Sequence, residues 1–125
     1  MILVDTSVWV DHLRQGEPLL VQALMQTQAA THPFVVGELA CGNLKNRQTL
    51  IELLQALPPV KSAMDHEVMN FIESKNLMGK GIGYIDAHLC ASALISGFKL
   101  WTRDKWLPRL SYPRMRVSID EVSSA

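Results

Sequence analysis

The sequence predicts an α/β fold built on a central parallel sheet, and three observations predict it. Met1–Val4 is a short continuous apolar run, the pattern of a strand buried on both faces, and Phe98–Thr102 reads as a further strand. The segments between them carry apolar residues at helical spacing. Strands and helices then alternate along a chain of 125 residues, read here as one domain over residues 1–125.

In chain order, Met1–Val4 is the first strand. Thr6 or Ser7 is expected to cap the helix that runs toward Gly16. Leu20, Val21, Leu24 and Met25 mark a helix within Glu17–Thr27. Ala29–His32 reads as a weak second strand ending at Pro33. The pairs Val35/Leu39 and Val36/Ala40 repeat at i,i+4, which places Glu38 near the start of a helix that stops by Gly42. Gln48–Leu57 is helical up to Pro58-Pro59, and Val60–Ala63 reads as a short strand. Val68, Met69, Phe71 and Ile72 give a helix over Asp65–Leu77. The glycines of Gly79–Gly83 precede another helix with Ile85, Leu89 and Ala93 on one stripe, closed by Gly97. Phe98–Thr102 and Met115–Ile119 are the remaining strands.

The formal net charge is zero, so contact with nucleic acid has to come from local patches rather than a bulk basic excess. Cys41 and Cys90 lie in apolar helical contexts and suit reduced thiols, consistent with a cytoplasmic protein. The opening Met-Ile-Leu-Val-Asp has neither the basic stretch nor the long apolar run of a signal peptide, and no segment reads as a membrane span.

Four acids stand in apolar surroundings. Asp5 follows Ile2-Leu3-Val4, Glu38 lies within Pro33–Cys41, Asp86 is the only charge between Ile82 and Gly97, and Asp104 borders the strand Phe98–Thr102. The other eight carboxylates (Asp11, Glu17, Glu52, Asp65, Glu67, Glu73, Asp120, Glu121) read as solvated faces or ends. A charge taken out of water costs several kcal/mol unless it is paired or binds a metal. Asp104 alone has opposite charges adjacent in sequence, Arg103 and Lys105, so the four acids point to a divalent cation. Sites in open parallel sheets form outside the carboxyl ends of the strands, where Asp5 and Asp104 fall. Glu38 and Asp86, read as first-turn residues, are expected beside that edge, their charge favoured by the helix dipoles. An all-oxygen set suits Mg²⁺ or Mn²⁺ better than zinc.

Val4-Asp5-Thr6-Ser7, Gly37-Glu38-Leu39, Ile85-Asp86-Ala87 and Thr102-Arg103-Asp104 resemble, in order and spacing, the motifs of PIN-domain nucleases. The longer strings His32–Leu39, Gly81–Leu89 and Leu100–Lys105 resemble the VapC toxins of bacterial toxin–antitoxin pairs, and the resemblance spans Met1 to about Val117. It implies a PIN-like three-layer α/β/α sandwich with a central parallel sheet, and a metal-dependent ribonuclease whose catalytic and metal-holding residues are Asp5, Glu38, Asp86 and Asp104. It also implies Mg²⁺ (or Mn²⁺) as cofactor, an RNA substrate, a small VapB-like antitoxin partner and a homodimer. Thr6, Ser7 and Thr102 are expected to support the carboxylates or waters around them. Many relatives carry a further acid two residues past the fourth aspartate; here that residue is Trp106, so a second metal is expected to be weakly held or to arrive with substrate. Hydrolysis by water, with the RNA 2′-hydroxyl uninvolved, leaves a 5′-phosphate and a 3′-hydroxyl.

Other classes fit less well. An aspartate-nucleophile phosphotransferase of the haloacid-dehalogenase type needs an acid where Ser7 stands, and a metal-dependent adhesion module needs a serine where Trp9 stands. A PIN nuclease outside a toxin–antitoxin system is a further alternative. His32 and His88 are expected to be packed or hydrogen-bonded rather than metal ligands, and Trp9, Trp101 and Trp106 to be core or interface residues. Arg14, Lys80, Arg103, Lys105 and Arg109 fall near the inferred rim, where cations can hold phosphates.

Overall fold

The computed structural model describes residues 1–104. β1 (Ile2–Val4) is buried throughout and occupies the centre of a three-stranded parallel sheet of order β2-β1-β3. Its partners are β2 (Ala29–Ala30), with Ile2 opposite Ala29, and β3 (Lys99–Trp101), with Val4 opposite Trp101. Continuous apolar character is what a strand with neighbours on both edges and helices over its faces requires.

Six helices surround the described part of the sheet: α1 (Thr6–Gln15), α2 (Pro18–Met25), α3 (Pro33–Ala40), α4 (Arg47–Ala56), α5 (Asp65–Ser74) and α6 (Tyr84–Ser96). α6 packs on β3 and α5, α3 on α1 and α4, and α2 on β2. This is the α/β arrangement expected from the sequence. The core gathers Leu3, Val4, Val8, Trp9, Leu20, Leu54, Leu89, Leu100 and Trp101, each side chain contributing roughly 1.5–3 kcal/mol on burial. Trp9 and Trp101 are each 1% exposed, which makes them core residues as expected; Trp106 lies outside the described residues. Among the described residues no helix is long and apolar enough to cross a membrane.

Several local expectations are revised. The cap of α1 is Asp5, not Thr6 or Ser7. α3 begins at Pro33, where the second strand was expected to end, because His32 caps it and proline is well suited to the first helical position. Glu38 therefore sits in the second half of α3, where the helix dipole gives its charge no support. β2 stops at Ala30, since Thr31 makes only an isolated parallel bridge to Pro59. Val60–Ala63 is consequently not a strand. The Lys61 amide donates to Ser96 Oγ and the Ala63 amide to Ser92 Oγ, both at 2.9 Å, so serines of α6 take the bonds that a ladder would have taken. α5 ends at Ser74, where Asn76 turns to φ +55°. The expected strand Met115–Ile119 lies outside the described residues.

Candidate active site

Asp5 leaves the carboxyl end of the central strand and is 5% exposed. Three donors converge on its Oδ2: the Ser7 amide at 3.4 Å, Ser7 Oγ at 2.7 Å and Thr102 Oγ1 at 2.8 Å. The two hydroxyls are also acceptors, Ser7 Oγ for the Arg103 amide at 3.0 Å and Thr102 Oγ1 for the Asp104 amide at 3.1 Å. One small network thus ties the first residue after β1 to the three residues after β3. Asp5 acts both as a helix cap and as the centre of this network.

Asp86 occupies the first turn of α6, as expected. One ligand oxygen each from Asp5, Asp86 and Asp104 can be chosen so that all three lie within 4.8 Å of one another. Oxygens on opposite sides of an octahedral Mg²⁺ ion, with bonds of ~2.1 Å, stand ~4.2 Å apart, so the trio fits a hard divalent cation in both spacing and donor type. Glu38 stands outside that trio, its Oε1 accepting a 2.9 Å bond from Thr6 Oγ1. The burial expected for the four acids holds for Asp5 and partly for Asp86; Glu38 and Asp104 are exposed. What unites Asp5, Asp86 and Asp104 is proximity, because a parallel sheet delivers strand ends and a neighbouring helix start to one edge.

That proximity is visible in Asp86. Burial, then the charges of Asp104 and Asp5, push its carboxyl up to about 6; a bond from the Gly83 backbone opposes the shift, and Glu38 adds to it least. The folded protein therefore holds a proton between its usual 3.8 and about 6 that the unfolded chain has lost. In the metal-free protein Asp86 should add stability as the pH falls from 7 toward 5. Buried His32, whose lowered pKa works in the opposite direction, loses stability over the same range, so the Asp86 part is read as the difference between the parent and Asp86→Asn. Saturating Mn²⁺ should reverse the sign of that difference, because a ligating carboxylate must be ionised. Melting curves of both proteins at pH 5, 6 and 7, in EDTA and in Mn²⁺, check both signs; a difference that ignores metal would remove Asp86 from the metal site.

The residues expected to be bystanders are accounted for. His32 Nδ1 accepts the Phe34 amide at 3.0 Å, so its Nε2–H donates to Ser92 Oγ at 3.2 Å, and burial followed by His88 lowers its pKa to about 4. His88 Nε2 lies 3.1 Å from Asp65 Oδ1. Neither histidine belongs to the carboxylate trio. Cys41 and Cys90 are free, and burial, then Asp86 and Asp5, push the Cys90 thiol above its usual range, which keeps it protonated and inert. Ser7, where a phosphotransferase would need its acid, is committed to holding Asp5.

Arg103 departs from its expected place at the phosphate-binding rim. Its Nε lies 2.6 Å from Asp11 Oδ2 and its Nη2 2.5 Å from Glu17 Oε2, joining the end of β3 to α1 and to the cap of α2. Asp11 and Glu17, read in the sequence as solvated, are partly buried anchors. The available signal was Arg103 itself, since a guanidinium beside a buried strand needs counter-charges. Arg14 and Lys80 are exposed, and Lys105 and Arg109 lie outside the described residues.

Comparison with known proteins gives the family and the fold. The PIN domain family model matches residues 2–111. Ribonuclease VapC32 of Mycobacterium tuberculosis, in strains CDC 1551 and H37Rv alike, is 44% identical over 108 residues, covering 86% of this chain and 87% of the relative. Among solved structures, a toxin–antitoxin complex from Klebsiella pneumoniae superposes with a TM-score of 0.70 at 21% identity, covering 94% of this chain and 97% of that one. FitAB bound to the IR36 DNA fragment gives 0.58 at 23% identity, covering 83% and 85% of the two chains. By family model, relatives and fold together, the chain belongs to the PIN-domain family, as a member of its VapC ribonuclease group.

Proposed function

We propose that this protein is a metal-dependent ribonuclease toxin that hydrolyses RNA phosphodiester bonds and is held inactive by a VapB-like antitoxin. The observation that carries the reading is the convergence of Asp5, Asp86 and Asp104 at the carboxyl edge of the sheet in a chain of the VapC group. These three would hold Mg²⁺ or Mn²⁺, with Glu38 at the flank as the fourth catalytic acid. A divalent cation bound there would neutralise the phosphodiester oxygens and make water a competent nucleophile near neutral pH. The chain's own part is preparation. Ser7 and Thr102 hold Asp5 by one oxygen, so that Oδ1 is left for a ligand. Thr6 holds Glu38 by Oε1, and Oε2 remains as a ligand or proton acceptor. The working unit is one domain over residues 1–125, assembled as a homodimer in the cytoplasm.

Purified protein freed of antitoxin should cleave RNA in Mg²⁺ or Mn²⁺ and stop when EDTA is added. End analysis should find 5′-phosphates and 3′-hydroxyls. Undiminished cleavage in excess EDTA, or 2′,3′-cyclic phosphate ends, would falsify the metal-assisted hydrolysis.

Crowded carboxylates also suggest how the antitoxin works: a basic side chain on its tail neutralises the pocket. Co-expression with the neighbouring reading frame should yield a complex without nuclease activity, and removing the tail's arginines and lysines should restore cleavage. Inhibition that survives loss of every basic residue there would rule out charge neutralisation.

A further inference from the structure

A second feature lies one helical turn from the acids. Between the starts of α3 and α5 and the flank of α6 is a cavity of about 420 Å³, within the ~300–1,000 Å³ typical of small-molecule sites. Phe34, Asp65 and His88 line it, with Ser62, Ala63 and Met64 alongside. Phe34 precedes Glu38 by one turn of α3, and Tyr84 shares the first turn of α6 with Asp86. Phe34 and Tyr84 both pack T-shaped against His88, at centroid distances of 4.7 and 4.9 Å. They are also the exposed aromatic side chains among the described residues, at 36% and 46%, whereas Trp9 and Trp101 are core. Asp65 is held in place by its Oδ1, which receives Tyr84 OH at 3.2 Å and His88 Nε2 at 3.1 Å. Its side chain is 86% exposed.

We propose that this cavity is a base-binding subsite for single-stranded RNA: a guanine beside the scissile phosphate stacks on Phe34 and donates its N2 amino and N1–H edge to Asp65. The inference rests on the ribonuclease reading and adds a substrate preference to it. An exposed ring face is the platform on which unpaired bases stack, and base edges supply the sequence discrimination. A carboxylate repels phosphate, so the occupant is a base and not the backbone. A carboxylate accepts hydrogen bonds and donates none, which selects an edge with adjacent donors. Guanine has that edge; uracil flanks its single N–H with two carbonyls.

The test measures binding apart from chemistry. Fluorescein-labelled heptauridylate, and the same heptamer carrying one guanosine or one inosine, are titrated against the protein in EDTA and followed by anisotropy. The guanosine heptamer should bind about tenfold tighter than heptauridylate, and inosine, without the N2 amino group, should lose most of that gain. Asp65→Asn should abolish the preference for guanosine over uridine. Phe34→Ala should weaken every heptamer about tenfold, on the scale of one lost stack, while Phe34→Tyr retains binding. Melting curves establish that the variants are folded. Equal affinity for all three heptamers, or a preference that survives Asp65→Asn, overturns the subsite. So does a Phe34→Ala protein that binds RNA normally but has lost antitoxin affinity, which would make the cavity a protein-docking site. The same heptamers incubated with Mn²⁺ separate the two readings. Guanine-selective binding without cleavage refutes the nuclease and keeps the subsite, whereas cleavage without base selectivity refutes only the subsite.

Discussion

Asp86→Asn should lose RNA cleavage by about a hundredfold to a thousandfold or more, while melting no lower than the parent without metal. The substitution removes one charge at nearly constant volume. In the metal-free protein that charge is a liability, because burial and its neighbours Asp104 and Asp5 already drive the carboxyl toward its neutral form. With metal the balance inverts. A ligand that binds only the folded state stabilises by RT ln(1 + [L]/Kd), about 2.7 kcal/mol at a hundredfold excess over Kd. The parent should show that gain in Mn²⁺ and the variant should lose most of it. An electrostatic group aimed at the reacting phosphate is commonly worth ~10²–10³ in rate, hence the activity estimate. Asp5→Asn should lose activity as severely, but it differs in stability. Asparagine caps nearly as well as aspartate, yet the three donors on Oδ2 would then face a neutral amide. Thermal unfolding with and without Mn²⁺, beside an RNA cleavage assay, separates these outcomes. A parent whose melting point ignores metal, or an Asp86→Asn protein that still cleaves, would move the site elsewhere.

Arg103→Met tests the frame behind the site. The side chain is 25% exposed, and its partners Asp11 and Glu17 are 29% and 14% exposed. Methionine keeps much of the length and removes the charge, which leaves two partly desolvated carboxylates facing each other. The expected loss is about 1–3 kcal/mol, below the 3–5 kcal/mol of a fully buried pair and above that of a surface pair. The functional effect should exceed the structural one. Arg103 sits between Thr102, which bonds Asp5, and Asp104, so freeing its side chain loosens the segment that carries the third carboxylate of the trio. Mn²⁺ half-saturation, read from the melting shift, should weaken about tenfold, and Arg103→Lys should fall between, since an ammonium cannot span two carboxylates as a guanidinium fork does. Unchanged melting and unchanged Mn²⁺ affinity together would mean that these contacts organise nothing.

Much of this was legible in the residues, for physical reasons that also explain the failures. Asp5 and Asp104 could be placed because each borders a buried apolar strand, and parallel strands end on one edge. Asp86 could be placed because the glycines of Gly79–Gly83 announce a helix start. Glu38 was misplaced within its helix because Pro33 was read as a terminator, although proline opens helices as readily as it ends strands. Val60–Ala63 reads as a strand, but the amides of Lys61 and Ala63 are taken by Ser96 and Ser92, residues some thirty positions later that no local pattern can match to it. Asp11 and Glu17 read as solvated for a similar reason: the contact from Arg103 to Glu17 spans 86 residues. Periodicity reports which face is apolar; it is silent on which distant polar group completes a neighbour.

The hydrogen bond from Thr102 to Asp5 joins residues 97 positions apart, and β3 must dock on β1 before it can form. A ribosome adding about 5–20 residues per second takes on the order of ten seconds to reach that point. Until residue 104 is made the growing chain carries Asp5, then Glu38, then Asp86, with no completed set of carboxylates. On the proposed function, a ribonuclease is then disarmed over that interval, beside the RNA-rich machine that makes it, and the antitoxin has the same interval in which to be waiting. Nascent chains stalled after Ser96 should accordingly show no Mn²⁺-dependent protection from proteolysis, and chains stalled far enough past Asp104 to clear the exit tunnel should acquire it.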